Sequence, residues 1–513
     1  GPAKIEALGR ELRCICHSFS QSSPPDGVRA ELVYAGAGRA TDYAGLAVRG
    51  KIVLLDGIAN PAASLEASKR GAAGQLHISP HEYLHEMCIS PVWGSPHDEQ
   101  LDRLPKTVVV TTAKEDGDKL KAALAQGAVT VTLFAQVDTG WRKTPILIAD
   151  LPGADTDKYV LLSGHYDSWY LGAMDNGGAN ATMLEVARLC AEQRGLWQRG
   201  LKLAFWSGHS QGRYSSSTWW ADQFYEEIRA NCVVHVNVDS TGGLGNTVVA
   251  DTTAAAELQE LARTVIRERA GQEFSGRRNQ RAGDQSFWGI GVTSIYGNMS
   301  EQPATAGGAN AMAAVFGGGN RAGRGTGWWW HTPHDTYDKL EESILVRDTA
   351  IYVSTVWRLL TGPVLPLRYE ACAAEISQAL AGLRKAAGEK FDLGYLAERA
   401  SLLEEQCTKL SALAQGLGPG GKADLLNACL VDLSRILVPI CFNVAGPYEQ
   451  DPALGFGPLP GLAPVAAMGA LDPDSDAFLH LHVRMMRHRN RVAVALSEAN
   501  RRAEQALIQL QQA

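Results

Sequence analysis

Imidazole and carboxylate side chains recur where predicted strands end in the middle of the chain. His165 and Asp167 follow the apolar run "YVLLSG", and Asp175 comes ten residues after His165, at the start of a predicted helix. In "VVHVNVD" the valines point to one side of the strand, so Asp239 points to the other. His331 follows three consecutive tryptophans. This mixture of ligand types is typical of zinc or another divalent first-row metal, so the residues predict a metal site.

The elements around these residues predict how they could meet. From residue 145 onward, apolar strands such as "KYVLLSG", "LKLAFWSG", "CVVHVNVD" and "VTSIYG" alternate with amphipathic helices. This pattern is typical of an α/β fold with a doubly wound, mostly parallel sheet covered on both faces. Ligands of such sheets bind at the carboxyl ends of the strands, where the candidate residues lie.

The chain divides into four predicted segments. Residues 1–26 are predicted as an N-terminal helix, and residues 27–143 as a small β-rich unit with short strands and two helices. Residues 144–366 form the predicted α/β domain, and residues 367–513 a helical domain. The glycine-rich loop 301–327 is too long for a simple connection and is predicted to close over the cleft as a lid.

Composition excludes several classes of function. A net charge of −7 argues against a nucleic-acid partner, which needs a clustered basic face. No apolar run reaches the roughly 18 residues of a membrane span. The nine cysteines show no disulfide framework, which indicates a reducing compartment. We therefore expect a cytoplasmic protein that acts on a small-molecule or short peptide-like substrate, the alternative being a secreted protein whose signal peptide has been removed.

Other histidines are predicted to be structural. His235 and His334 have the neighbours of ordinary hydrogen-bonded residues. His77, His81 and His85 have helical spacing, but Pro80 interrupts it, so they are predicted to lie in a surface loop.

Four motifs in order resemble the zinc-dependent metallopeptidase family that includes bacterial aminopeptidases, glutamate carboxypeptidase and the transferrin receptor. They are "GHYDSW…GAMDNGGANATMLEVAR", "VNVDSTGG", "GDQSFWGIGVTSIYG" and "WHTPHDTYDKL". The resemblance covers nearly the whole chain. It implies a protease-associated domain around "YAGLAVRGKIVLLDG", and C-terminal helices that pair two chains into a homodimer.

The resemblance also implies roles for the candidate residues. His165, Asp175 and Asp239 would hold one metal ion. Asp175 would bridge to a second ion shared with His331 and a glutamate, and its peptide bond to the next residue would be cis. Asp167 would be the carboxylate that orients His165. The expected cofactor is zinc, as one or two ions, or another divalent first-row metal.

One stretch departs from the family pattern. The family has a Glu-Glu pair before a glycine, the first glutamate acting as general base and the second as metal ligand. Here "HSQG" places His209 and Ser210 at those positions, before Gly212. Three interpretations stay open. His209 is a metal ligand, or it is the general base of a one-metal site, or the centre is inactive and the protein binds or scaffolds.

The sequence thus predicts a metal-dependent hydrolase that acts on an amide or peptide-like bond of a small molecule. A metal-dependent lyase on the same scaffold is the alternative, because a metal beside a histidine base also serves proton abstraction next to a carbonyl. A non-catalytic binding protein comes third. The residues predicted to contact substrate are Ser210, Asp284 in "RAGDQSFW", and Trp330.

Overall fold

An eight-stranded sheet occupies the N-terminal part of the chain, in a computed structural model that describes residues 1–153, 156–304 and 322–512. Its order is β2-β1-β8-β4-β5-β6-β7-β3, with β4 to β7 parallel. The strands are β1 Ala3–Ala7, β2 Arg10–Leu12, β3 Cys14–Cys16, β4 Val28–Tyr34, β5 Ile52–Asp56, β6 Gly74–Ile78, β7 Val108–Thr112 and β8 Thr130–Ala135. Two helices accompany them, α1 Pro61–Lys69 and α2 Lys114–Leu124. The assignment of this unit as a protease-associated domain stays a prediction.

The predicted N-terminal helix is wrong, because residues 3–16 form β1, β2 and β3. The apolar residues Ile5, Leu8 and Leu12 have helix-like spacing. However, Leu8 and Gly9 both take positive φ, 53° and 75°, and so make the two-residue turn that joins paired strands. β1 also pairs with β8, more than a hundred residues away, so the predicted segment 1–26 is part of the same sheet as the unit that follows it.

A second, five-stranded sheet forms the middle of the chain. Its order is β13-β12-β10-β11-β9, and all neighbours are parallel except β9, which lies antiparallel at one edge. The strands are β9 Leu147–Leu151, β10 Tyr159–His165, β11 Gly200–Trp206, β12 Cys232–Asp239 and β13 Thr293–Asn298. The helices are α3 Ala179–Ala191, α4 Ser215–Gln223, α5 Tyr225–Asn231, α6 Gln259–Ala270 and α7 Glu342–Thr361. This is the mostly parallel, doubly wound α/β sheet that the sequence predicts.

Alternate residues of β10 enter different hydrophobic cores, which explains why this strand is apolar throughout. Val160 and Leu162 are buried in one core together with Met183 of α3. Leu161 is buried in another core, on the opposite face, with Trp220 of α4. Burying each of these side chains stabilises the fold by roughly 1.5–3 kcal/mol. Packing on both faces of the sheet therefore anchors the strand that ends at His165.

The remainder of the described chain is helical. Its helices are α8 Tyr369–Ala387, α9 Gly394–Ala414, α10 Gly421–Phe442, α11 Val465–Met468 and α12 Asp476–Gln512. α10 is long and apolar enough to cross a membrane, yet 67% of its apolar window is buried inside the protein, which is typical of a core helix. It packs against α12, the last helix of the described chain.

Candidate metal centre

Three parallel strands bring the candidate residues to one edge of the second sheet. β10 lies between β11 and β12, so the chain leaves β10 to one side and later returns on the other. Ligands of open α/β sheets bind at such a change of direction. His165 ends β10, Asp239 ends β12, and His209 follows β11. Residues far apart in sequence thus meet in one cleft.

Asp175 lies between two imidazole rings. Its Oδ1 is 3.1 Å from His165 Nε2, and its Oδ2 is 3.1 Å from His331 Nε2. Asp239 Oδ1 is 3.7 Å from the same nitrogen of His165. The Asp175–Asn176 peptide bond is cis, as the resemblance implies. The structure therefore brings together the four residues that the resemblance assigns to metal ions.

Backbone carbonyls orient the two outer imidazoles. His165 Nδ1 donates to the carbonyl of Asp167 (2.7 Å), and His331 Nδ1 donates to the carbonyl of Glu86 (2.6 Å). Since a carbonyl can only accept, the proton of each neutral ring is on Nδ1, and the Nε2 lone pairs face Asp175. This is the usual arrangement of metal-binding histidines.

The carboxylate of Asp167 does not have the role that the resemblance implies. It lies 3.9 Å from His165 Nδ1, beyond hydrogen-bond distance. Instead it accepts the backbone N–H groups of His209 (3.2 Å) and Ser210 (2.9 Å). Asp167 therefore orients His165 through its backbone and holds the "HS" turn through its side chain.

The electrostatics of the cluster are those of a cation site. Burial opposes a charged imidazole, but the carboxylates of Asp175 and Asp239 raise the pKa of His165 well above its usual range. Burial likewise opposes the ionised form of Asp175, but His165 and His331 lower the pKa of that carboxyl. His165 is only 1% exposed, and its Nε2 has no hydrogen-bond partner of acceptable geometry. A buried nitrogen aimed at two carboxylates fits a divalent metal ion.

His209 lies beside this cluster with its ring stacked on His165. The ring centroids are 3.7 Å apart and the ring planes differ by 15°. Its Nδ1 donates to Asp284 Oδ2 at 2.9 Å, and Asp284 is 1% exposed. The rings of His209 and Tyr214 also contact each other in a T-shaped arrangement, with centroids 4.7 Å apart. His209 is thus held from three sides.

The predicted substrate residues have different outcomes. Ser210 and Trp330 line the cleft together with His209 and His331. Asp284 does not, so its prediction as a substrate-binding residue is wrong. It follows Gly283 in a tight loop that turns its carboxylate under the ring of His209 rather than into the open cleft. Most of the predicted lid lies outside the described residues, which stop at 304 and resume at 322.

Two supporting residues were missed by the sequence analysis. Asp335 accepts the backbone N–H groups of Met174 (2.9 Å) and Asp175 (3.0 Å), and so fixes the turn that carries the central carboxylate. It lies in the quoted motif "WHTPHDTYDKL", which was a usable signal. Glu86, whose carbonyl holds His331, comes from the N-terminal unit, and no sequence signal pointed to it.

The prediction that three histidines lie in a surface loop is wrong for two of them. His77 is buried in β6. His85 is buried too, and its Nδ1 donates to the carbonyl of Trp330 (2.6 Å), because the segment after β6 turns inward onto the loop that carries His331. His235 is a buried structural residue, as predicted, and bonds to Ser163 (2.7 Å).

Comparison with known proteins gives consistent results. Residues 147–356 match the model of Peptidase family M28. Among curated proteins, the chain is 25% identical over 342 residues to a probable glutamate carboxypeptidase, VP8, of Zea mays, covering 64% of this chain and 42% of that protein. It is 27% identical over 224 residues to carboxypeptidase Q of Bos taurus, covering 41% and 46%. The matches thus span less than half the length of these relatives.

Solved structures show the same fold. BSAP, a zinc aminopeptidase from Bacillus subtilis, matches with a TM-score of 0.50 and 20% identity, over 70% of this chain and 82% of that chain. A peptidase M28 precursor from Shewanella amazonensis matches with a TM-score of 0.51 and 17% identity, over 70% and 80%. At these identities the likeness concerns the fold alone. Together with the four motifs and the geometry of the cluster, the family match shows that residues 147–356 are similar to a domain of Peptidase family M28.

Proposed function

We propose that this chain is a metal-dependent hydrolase that cleaves an amide or peptide-like bond in a small molecule, with zinc as its metal. The observation that carries the proposal is the position of Asp175, whose two carboxylate oxygens each lie 3.1 Å from an imidazole nitrogen, one of His165 and one of His331. The family match supports the reaction class. The mixture of imidazole and carboxylate groups around Asp175 supports zinc as the metal.

The centre we propose is not the usual one of the family. His165, Asp175 and Asp239 would hold one ion, which when bound polarises the carbonyl of the scissile bond. The second position keeps Asp175 and His331 but has Ser210 in place of a carboxylate, and a serine hydroxyl is a poor ligand at neutral pH. We therefore propose one tightly bound ion per chain.

The cleft supports a small or short peptide-like substrate. The cavity volume of the cleft is about 140 Å³, which restricts it to a small molecule or to one or two side chains of a short peptide. Its wall offers the apolar surface of Trp330 and the uncharged groups of Asn279 and Gln280. Charged groups of both signs, Arg277 and Glu301, also line it. Such a surface suits a molecule with both apolar and polar parts.

Metal analysis tests the proposal first. We expect about one zinc per chain in protein purified without added metal, and loss of that metal in the variant Asp239→Asn. Asp138→Asn is the matched control, since that carboxylate is 89% exposed and lies outside the cleft. Metal-free wild-type protein, or equal metal in the wild type and Asp239→Asn, would contradict the proposed centre.

Product analysis separates hydrolysis from elimination. Dipeptides and N-acyl amino acids would be offered to the zinc-loaded enzyme in water enriched in oxygen-18. Hydrolysis places the heavy oxygen in the new carboxylate, because water is the nucleophile. A product that carries a new double bond and no heavy oxygen would instead establish the lyase.

A further inference from the structure

A buried carboxylate holds the imidazole that replaces the family glutamate. Asp284 Oδ2 accepts the proton of His209 Nδ1 at 2.9 Å, and the carboxylate is 1% exposed. The resemblance places no such pair in this family, where residue 209 would itself be a carboxylate. A buried acid therefore holds an imidazole at the position where the resemblance implies a carboxylate.

Distances alone would admit His209 as a metal ligand. Ligand atoms of His165, His209 and Asp239 all lie within 4.8 Å of one another. The ring planes decide against it. An imidazole nitrogen offers its lone pair in the plane of its ring, and the rings of His165 and His209 are stacked at 3.7 Å with planes 15° apart. Their lone pairs lie in two nearly parallel planes, which do not converge on one ion.

The hydrogen bond to Asp284 fixes the tautomer of His209. With the proton on Nδ1, the lone pair is on Nε2, and the ring lines the cleft. Tyr214 closes the ring on a further side, so the imidazole cannot turn over freely. A base must present a free lone pair toward the reacting water, and this arrangement provides one.

We propose that His209 and Asp284 form a proton-transfer dyad, in which His209 is the base and Asp284 the positioning residue. The inference rests on the proposed function. His209 Nε2 takes a proton from water as the water oxygen bonds to the carbonyl carbon of the amide. The same proton then passes to the amide nitrogen as the C–N bond breaks. One water is consumed, and one acid and one amine are formed.

Charge explains why the positioning residue is an acid. When His209 accepts a proton it becomes a cation inside a cleft that is also built to hold a metal ion, and that second positive charge needs a counterion. Asp284 supplies it at hydrogen-bond distance. Burial opposes ionisation of Asp284, but the neighbouring His209 lowers the pKa of its carboxyl.

The experiment measures zinc content, kcat and KM for three variants of the zinc-loaded enzyme. His209→Ala should keep its zinc and lose turnover. Asp284→Asn should keep its zinc and its KM but lower kcat by about 10²- to 10⁴-fold, since the corresponding change in serine protease triads costs about 10⁴-fold through the wrong tautomer. Asp284→Glu restores a carboxylate and should recover part of that loss.

A control separates positioning from general destabilisation. Asp348 in α7 is equally buried and binds Arg347 and Ser300, outside the catalytic cleft. Asp348→Asn should lower the melting temperature and leave kcat unchanged.

Two results would overturn the dyad alone: loss of zinc in His209→Ala, which makes His209 a ligand, or wild-type kcat in Asp284→Asn. Absence of zinc from the wild type would overturn the proposed function and the dyad with it. Because the side chain of His209 is partly exposed, we expect His209→Ala to fold even where Asp284→Asn does not. The zinc content of His209→Ala then still shows whether His209 is a metal ligand.

Discussion

Restoring the family pair, by changing His209 and Ser210 together to glutamate, should gain a metal and lose stability. The glutamate introduced at position 210 supplies the carboxylate missing beside Asp175 and His331, so we expect metal content to rise from about one to about two ions per chain. The glutamate introduced at position 209, however, would stand next to Asp284, where the wild type has a hydrogen bond of 2.9 Å between the side chains.

The cost follows from the separation of the two charges. Two carboxylates about 4 Å apart repel by about 4 kcal/mol at an effective dielectric constant of about 20. For a domain of 150–250 residues, a loss of 1 kcal/mol lowers the melting temperature by about 2–4 °C. The metal-free double variant should therefore melt about 8–16 °C below the wild type.

A mutant cycle with Asp284→Asn isolates this repulsion. In the wild type, Asp284→Asn removes the charged partner of His209 and should be destabilising. In the double variant the same change removes the repulsion and should be stabilising. The melting temperatures of four metal-free proteins, the wild type and the double variant with and without Asp284→Asn, give the effect of Asp284→Asn in each background. Equal shifts in both backgrounds would refute the pairing of residues 209 and 284, and full native turnover in the double variant would show that the His-Ser pair is incidental.

Three further predictions concern other parts of the molecule. Asp335→Ala leaves two buried N–H groups without acceptors and should cost about 2–6 kcal/mol of unfolding free energy, whereas Asp335→Asn, which can still accept, should cost less in the same calorimetric assay. Because the pKa of His165 is raised on folding, protonation of its imidazole stabilises the metal-free protein, fully so below about pH 6.5. This stabilisation is lost as pH rises through the folded-state pKa. The melting temperature of protein stripped of metal by a chelator should therefore fall as pH rises, while zinc affinity rises. We also propose a homodimer through the C-terminal helices, because α12 exposes the apolar side chains of Leu479 (51%) and Val483 (45%). Light scattering should show a dimer, and Leu479→Lys should weaken it. A monomer at all protein concentrations would contradict this proposal.

Local patterns were sufficient to predict the elements that carry the candidate metal ligands. The apolar run of β10 ends at His165, and alternation along β12 places Asp239, so both could be assigned from a few neighbouring residues. The two-residue turn at Leu8–Gly9 was missed because its apolar spacing also fits a helix. Only the pairing of β1 with the distant β8 distinguishes a strand hairpin from a helix in this segment.

Partners that lie far apart in sequence could not be predicted. Asp284 was assigned to substrate because its motif lies near the cleft, but the direction of its carboxylate depends on how the loop after α6 packs against the turn after β11. Likewise the orientation of His165 by a carbonyl rather than a carboxylate differs by one side-chain rotation, which no sequence pattern encodes.

The bond between His331 and Glu86 has a consequence for how this protein can be divided. Glu86 belongs to the N-terminal unit, and it holds His331 twice, by accepting from Nδ1 at 2.6 Å and by donating its own N–H to the carbonyl of His331 at 3.0 Å. His85 adds a third bond to the same loop, at Trp330. A fragment cut near residue 143 would keep all the residues that match the family model yet lose the groups that orient His331. The unit that builds the candidate metal centre is therefore larger than the matched segment, and the two sheets should be expressed and exchanged together.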